Sequence, residues 1–138
     1  MSANFWGTEW SDALSMSNAE IDAEHKEFIE LVNHLNGEIT HVQRDKEEIL
    51  RTIERISEQA TGHFEHEERL LIDNAYPESQ EHAEIHAGLL GKIKQALQTI
   101  QKTEHIPDWV EAGHEVERLL LEHLKAEDSK YINYLRTD

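Results

Sequence analysis

The chain has 138 residues and no cysteine, with 29 acidic against 13 basic side chains for a formal charge of −16. That length suits one domain with a real core. The charge would repel a phosphate backbone and argues against nucleic acid as a partner. The lack of thiols removes disulfides, thiolate-bound zinc and iron–sulfur clusters. No apolar run approaches the ~20 residues that span a bilayer, and MSANFWGTEW has no basic start followed by an apolar stretch. The expectation is a soluble, cytoplasmic protein with no membrane partner, its acidity a solvated surface. Ten histidines are the compositional feature that asks for an explanation.

Residues 1–16 carry Phe5, Trp6, Trp10, Leu14 and Met16 without helical spacing, which predicts an irregular N-terminal arm held to the body by its aromatics. Ser17 with Glu20 reads as a capping box that opens a first helix. Its apolar stripe is Ile21, Phe28, Val32, Leu35 and Ile39, with His25 on the same face. Gly37 and the polar run His41 to Lys46 make the stop and turn. Asp45 with Glu48 opens a second helix, whose stripe is Ile49, Ile53, Ile56, Ala60, His63, Glu67 and Leu70. A charge such as that of Glu67 facing a core is costly unless something compensates it. Asn74 to Pro77 breaks the pattern, and Pro77 suits the first turn of a third helix, striped by His82, His86, Leu89, Ile93, Leu97 and Ile100. After a loop over Lys102 to Ile106, Pro107 begins a fourth helix with Trp109, Val116, Leu120, His123, Leu124, Tyr131 and Leu135 inward. No stretch alternates with period two for long enough to suggest a sheet. The predicted fold is all-α, an antiparallel up-down-up-down four-helix bundle over residues 17–138 with the irregular arm at 1–16, in a single domain.

Helical phase sorts the histidines. His25, His63, His82, His86 and His123 fall on core stripes. His34 and His114 stand nine positions from His25 and His123, about half a turn of azimuth away at about 100° per residue, and should face water. His41 and His105 fall at helix ends or loops, and His66 sits on a flank with no partner that spacing identifies. The pairs His63/Glu67 and His82/His86 are each spaced by four, so each lies on one helix face. Imidazoles with a carboxylate suit iron, zinc or manganese.

The pieces IDAEH ending at His25, HFEHEE from His63, AYP followed by HAEIH from His82 to His86, and HLKAEDSKY from His123 together resemble the hemerythrins, more closely the single-domain bacterial type, bacteriohemerythrin. The resemblance covers residues 10 to 131. It implies two iron ions with a bridging oxo or hydroxo group: His82, His86 and His123 on one iron, His25 and His63 on the other, Glu67 and Asp128 bridging both. Tyr131 then steadies the Asp128 carboxylate from outside. Spacing alone points instead to Glu127, four residues after His123, because Asp128 is rotated about 140° from it. Two six-coordinate irons offer about twelve positions. The seven residues and one bridging oxygen leave a single vacancy, on the iron with two histidines. Its walls are expected to be Phe64, Leu119, Leu120 and Leu124, although the family often has an aromatic where this chain has Leu119.

The function the resemblance implies is reversible O₂ binding, for storage, delivery or sensing, without enzymatic turnover beyond a weak oxidase or peroxidase side activity. Its partners would be O₂ and an O₂-consuming enzyme or a reductant, and the protein a monomer. The competing readings are a di-iron oxidase or peroxidase, and a nitric oxide or iron–sulfur repair protein on the same bundle. Ferritin-like sites use Glu-x-x-His pairs. The two such pairs here, Glu38/His41 and Glu111/His114, have the wrong phase. A zinc hydrolase is disfavoured because the glutamate of HAEIH stands one place off the HExxH position.

Overall fold

Capping, periodicity and short connections produce four long helices in the computed structural model, which describes Trp10 and residues 14–136 apart from the side chains of residues 127–129. They are α1 Ala19–Thr40, α2 Lys46–Asp73, α3 Ser79–Lys102 and α4 Ile106–Leu135. Each packs on its neighbour in sequence and α4 closes back on α1. This is the expected four-helix bundle, with no strand among the described residues. No helix of the described residues is long and apolar enough to cross a membrane.

The start of α1 differs from the expectation. Asn18, not Ser17, is its cap: the Asn18 Oδ1 accepts from the amides of Glu20 and Ile21 at 3.0 and 3.1 Å. Ser17 stands just outside at φ 56°. Serine and asparagine cap about equally well, so local sequence does not choose between them. A tertiary bond does, since Asn18 Nδ2 donates to the Leu135 carbonyl at 2.7 Å and ties the first helix to the last turn of α4. The preceding residues are drawn in by Asp22, whose carboxylate accepts from Ser15 Oγ at 2.6 Å and from the Met16 amide at 2.8 Å. Trp10 lies under the Lys26 ammonium, 5.0 Å from the ring centre. Phe5 and Trp6 lie outside the described residues.

Asp45 caps α2 as expected, accepting from Glu47 and Glu48. The helix stops where Ala75 turns to φ 59° and the Tyr76 amide donates to the Leu71 carbonyl at 2.9 Å. That turn absorbs Pro77, so α3 begins at Ser79 and the proline stands ahead of it, not in its first turn. Pro107 does sit in the first turn of α4, and Trp109 Nε1 fastens that end by donating to the Thr103 carbonyl at 2.9 Å.

The interior is layered. A large apolar cluster, including Phe28, Leu35, Ile53, Phe64, Ile93, Val116 and Leu120, fills the half of the bundle that contains the α1–α2 and α3–α4 connections. A smaller one, Met16, Ile21, Leu71, Tyr131 and Leu135, closes the other end. On α2 it is Leu71 that is fully buried there, while the expected Leu70 packs beside it and is partly exposed. His25, His63, Glu67, His82 and His86 are buried in a polar layer between the two clusters. The charged and polar groups of that layer are thus sealed above and below by hydrocarbon, which strengthens every electrostatic interaction inside it.

Candidate metal centre

Each helix sends imidazole into the polar layer, and the Nε2 atoms converge on one carboxylate. Glu67 is 0% exposed. Its Oε1 lies 2.5 Å from His82 Nε2 and 3.1 Å from His86 Nε2, and its Oε2 lies 3.4 Å from His63 Nε2. His86 Nε2 in turn is 3.1 Å from His123 Nε2, and His63 Nε2 is 3.2 Å from His25 Nε2. The side chains therefore form two groups able to hold a metal ion, Glu67 with His82, His86 and His123, and Glu67 with His25 and His63. Glu67 belongs to both, one oxygen facing each.

The outer nitrogens decide what the inner ones offer. His63 Nδ1 lies 2.6 Å from Glu24 Oε1, and His86 Nδ1 lies 2.7 Å from Glu68 Oε2. A carboxylate only accepts, so each Nδ1 carries the proton and, in the neutral ring, Nε2 presents a lone pair. Lone pairs then face other acceptors, His63 toward Glu67 Oε2 and His86 toward Glu67 Oε1, where all three side chains are buried from solvent. Such an array is repulsive unless protons or a cation sit among the atoms. A metal bonded at about 2.1 Å separates neighbouring ligand atoms by about 3 Å at right angles, which is the spacing seen. The donor set, imidazole and carboxylate without thiolate, fits iron, manganese or zinc. With protons on those imidazole nitrogens in place of a metal, burial pushes the Glu67 carboxyl up, but hydrogen bonds from His63, His82 and His86 and the charge of His63 outweigh it and hold the group well below the usual carboxylate range. Glu24 behaves alike: burial raises it, and the bonds to His63 and His66 bring it below its ordinary value.

Beside His25, His63 and His123 lies a small cavity closed by Phe28, Phe64, Leu120 and Leu124. The space open to the centre of a water-sized molecule is ≈ 10 Å³, about the minimum for one such molecule. Both histidines of the two-histidine group, His25 and His63, line it, and of the other group only His123 does. Phe64 also stacks flat on the His86 ring, 3.8 Å between centres and 5° between planes.

Residues 16–135 match the family described as the hemerythrin HHE cation binding domain. The chain belongs to the hemerythrin family. It is 30% identical over 129 residues to a bacteriohemerythrin of Pseudomonas aeruginosa (strain LESB58), which covers 92% of this chain and 80% of that protein. Bacteriohemerythrins of Pseudomonas paraeruginosa (strain DSM 24068 / PA7) and Stenotrophomonas maltophilia (strain R551-3) are 29% and 27% identical over 129 and 127 residues, with the same coverage.

Among the residues expected at the centre, His25, His63, Glu67, His82, His86 and His123 come together. Tyr131 is buried against the cluster, its ring centre 4.3 Å from that of His82. Asp128 and its alternative Glu127 lie outside the described side chains. In the cavity wall the expected Phe64, Leu120 and Leu124 are present, but Leu119, though buried, is not among the lining residues and Phe28 is. The fourth wall comes from α1 because that helix turns Phe28 into the layer just below His25.

Two histidines depart from their expected surroundings. His66, on the flank of α2, has a partner that spacing does not identify, Glu24 Oε2 at 2.9 Å from its Nδ1. His114 does not simply face water: its side chain is 30% exposed and its Nδ1 lies 2.7 Å from Oε1 of Glu117, which is 0% exposed. The stripe of α4 is wider than the single row of positions used to phase it, and takes in Glu117. Neither Glu-x-x-His pair approaches the cluster, as His41 turns to Gln43 and His114 to Glu117. Glu84 of HAEIH is exposed, away from a general base's position. Glu24 and Glu68, each gripping an imidazole from another helix, were missed from sequence. The only signal for them was their place next to His25 and Glu67.

Proposed function

We propose that this protein binds O₂ reversibly at a di-iron centre whose ligands are His82, His86 and His123 on one iron, His25 and His63 on the other, and Glu67 and Asp128 between them. The observation that carries the reading is the cavity: it borders both histidines of the two-histidine group and one, His123, of the other, admits one very small molecule and is otherwise walled by hydrocarbon. When bound, the iron pair with its bridging oxo or hydroxo group would lend O₂ the electrons that hold it and recover them on release, a reductant being needed only to restore iron that has become oxidised. Phe28, Phe64, Leu120 and Leu124 exclude water, so a small neutral ligand is favoured over a charged one. Among the described residues no carboxyl, hydroxyl or ammonium lines that wall, which disfavours delivery of the protons that turnover requires. Binding and release are therefore favoured over oxidase or peroxidase chemistry, and the role is storage, delivery or sensing, carried out as a monomer in the cytoplasm.

Metal analysis combined with absorption spectra under argon and under air tests this. The expected result is two irons per chain and a visible band that appears with air and fades on deoxygenation. The variant His82→Ala loses iron, while His34→Ala, on the exposed flank of α1, keeps it. A single zinc ion, or protein that stays colourless after ferrous loading and exposure to air, overturns the proposal.

A further inference from the structure

We propose that Glu24 and Glu68 are positioning residues, one for each metal, that fix and charge the imidazoles of His63 and His86. The inference rests on the di-iron reading. The same construction occurs twice. An inner ligand on one helix, His25 or Glu67, is followed or preceded by an acid whose side chain leaves the helix about 100° away. That acid catches the Nδ1 of a histidine from the next helix: Glu24 of α1 takes His63 of α2 at 2.6 Å, and Glu68 of α2 takes His86 of α3 at 2.7 Å. One histidine in each metal group is anchored in this way.

Three consequences follow from the chemistry. Nδ1 is held by a carboxylate, so Nε2 is the nitrogen left to face the metal. The ring plane is set before any metal arrives, which removes a rotamer cost from binding. The anionic acceptor draws on the N–H and makes the imidazole a stronger donor, which favours the ferric over the ferrous state. Glu24 is further immobilised because its second oxygen takes His66 Nδ1 at 2.9 Å. His66 is 20% exposed, so this tie reaches from the centre to the surface of the bundle. His82 differs, since its Nδ1 is buried with no hydrogen-bond partner among the described residues. The structure thus separates His63 and His86, held by carboxylates, from His82.

The test compares wild type, Glu24→Gln, Glu68→Gln and His66→Ala, with His34→Ala as control. Ferrous affinity is measured by chelator competition and the midpoint potential of the iron pair by spectroelectrochemistry. Glutamine keeps the reach and an accepting oxygen but not the charge. Both glutamine variants are expected to bind iron about 10- to 100-fold more weakly and to shift the potential positive. His66→Ala removes a tie but no charge, so it weakens iron binding less than Glu24→Gln does and leaves the potential with the control. Wild-type potentials in the two glutamine variants would reduce the carboxylates to structural contacts and refute the proposal. So would a glutamine variant that loses its helices in the iron-free state by circular dichroism. Wild type that takes up no iron pair would instead bring down the di-iron reading itself.

Discussion

Replacing Glu67 by glutamine isolates the one group that both halves of the centre share. The Glu67 oxygens are met by His82, His86 and His63 nitrogens at 2.5, 3.1 and 3.4 Å, with no exposure to solvent. Removing one member of a buried charged network costs about 3–5 kcal/mol. The amide still hydrogen-bonds, so we expect the lower end, about 3 kcal/mol. For a chain of this length that lowers the thermal midpoint by roughly 10 °C. The folded carboxyl is held well below its ordinary value. Its contribution is therefore complete above the unfolded carboxylate pKa of about 4.3 and disappears as pH falls through the depressed folded value. Urea unfolding of the iron-free proteins, followed by circular dichroism, should show wild type ahead of Glu67→Gln at pH 6. The two should converge as acid protonates Glu67, when carboxyl and amide become near isosteres. Equal stabilities at pH 6, or a gap that ignores pH, would refute the idea that this carboxylate is the charged hub of the layer. With iron present the same substitution should lower uptake at both positions together.

Further outcomes follow from other parts of the bundle. Asn18→Ala removes a helix cap and the bond to Leu135, each worth about 1 kcal/mol. The urea midpoint should fall accordingly, and Asn18→Asp, which keeps the cap but not the donor, should recover about half. Ala75 holds φ 59°, which costs a side chain about 1–2 kcal/mol. Ala75→Gly should therefore raise the thermal midpoint, less the entropy glycine adds to the unfolded chain, and an unchanged or lower midpoint would show the turn is unstrained. Leu124→Phe should fill the cavity and slow O₂ association in stopped-flow while iron content stays at two, and Leu124→Ala should accelerate it. No change in either variant would mean O₂ does not use this space.

What the sequence discloses and what it hides divide along a physical line. His25, His63, His82, His86 and His123 are legible because helical phase is internal to each segment: steps of three and four set their azimuth relative to the neighbouring apolar residues, whatever the other helices do. Glu67 is legible for the same reason, and for the added reason that a carboxylate on an apolar stripe needs compensation. The relations that fail are between helices. Whether Phe28 or Leu119 completes the cavity wall depends on how far α1 and α4 are rotated about their own axes, and a few tens of degrees exchange one for the other. Whether Ser17 or Asn18 caps α1 is settled by the Leu135 carbonyl, 117 residues away. Glu24, Glu68 and His66 are polar residues on flanks, where the solvated reading is the natural one, and only the register between helices turns them toward an imidazole. A rule about chemistry would have recovered part of this. A buried histidine whose Nε2 is committed inward requires an acceptor for Nδ1, and an acid adjacent to an inner ligand on the preceding helix is well placed to supply it. Applied to His63 and His86, that requirement selects Glu24 and Glu68. The converse, that a buried carboxylate needs a donor, applied to Glu117 selects His114 one turn away, the residue that phase alone had assigned to water.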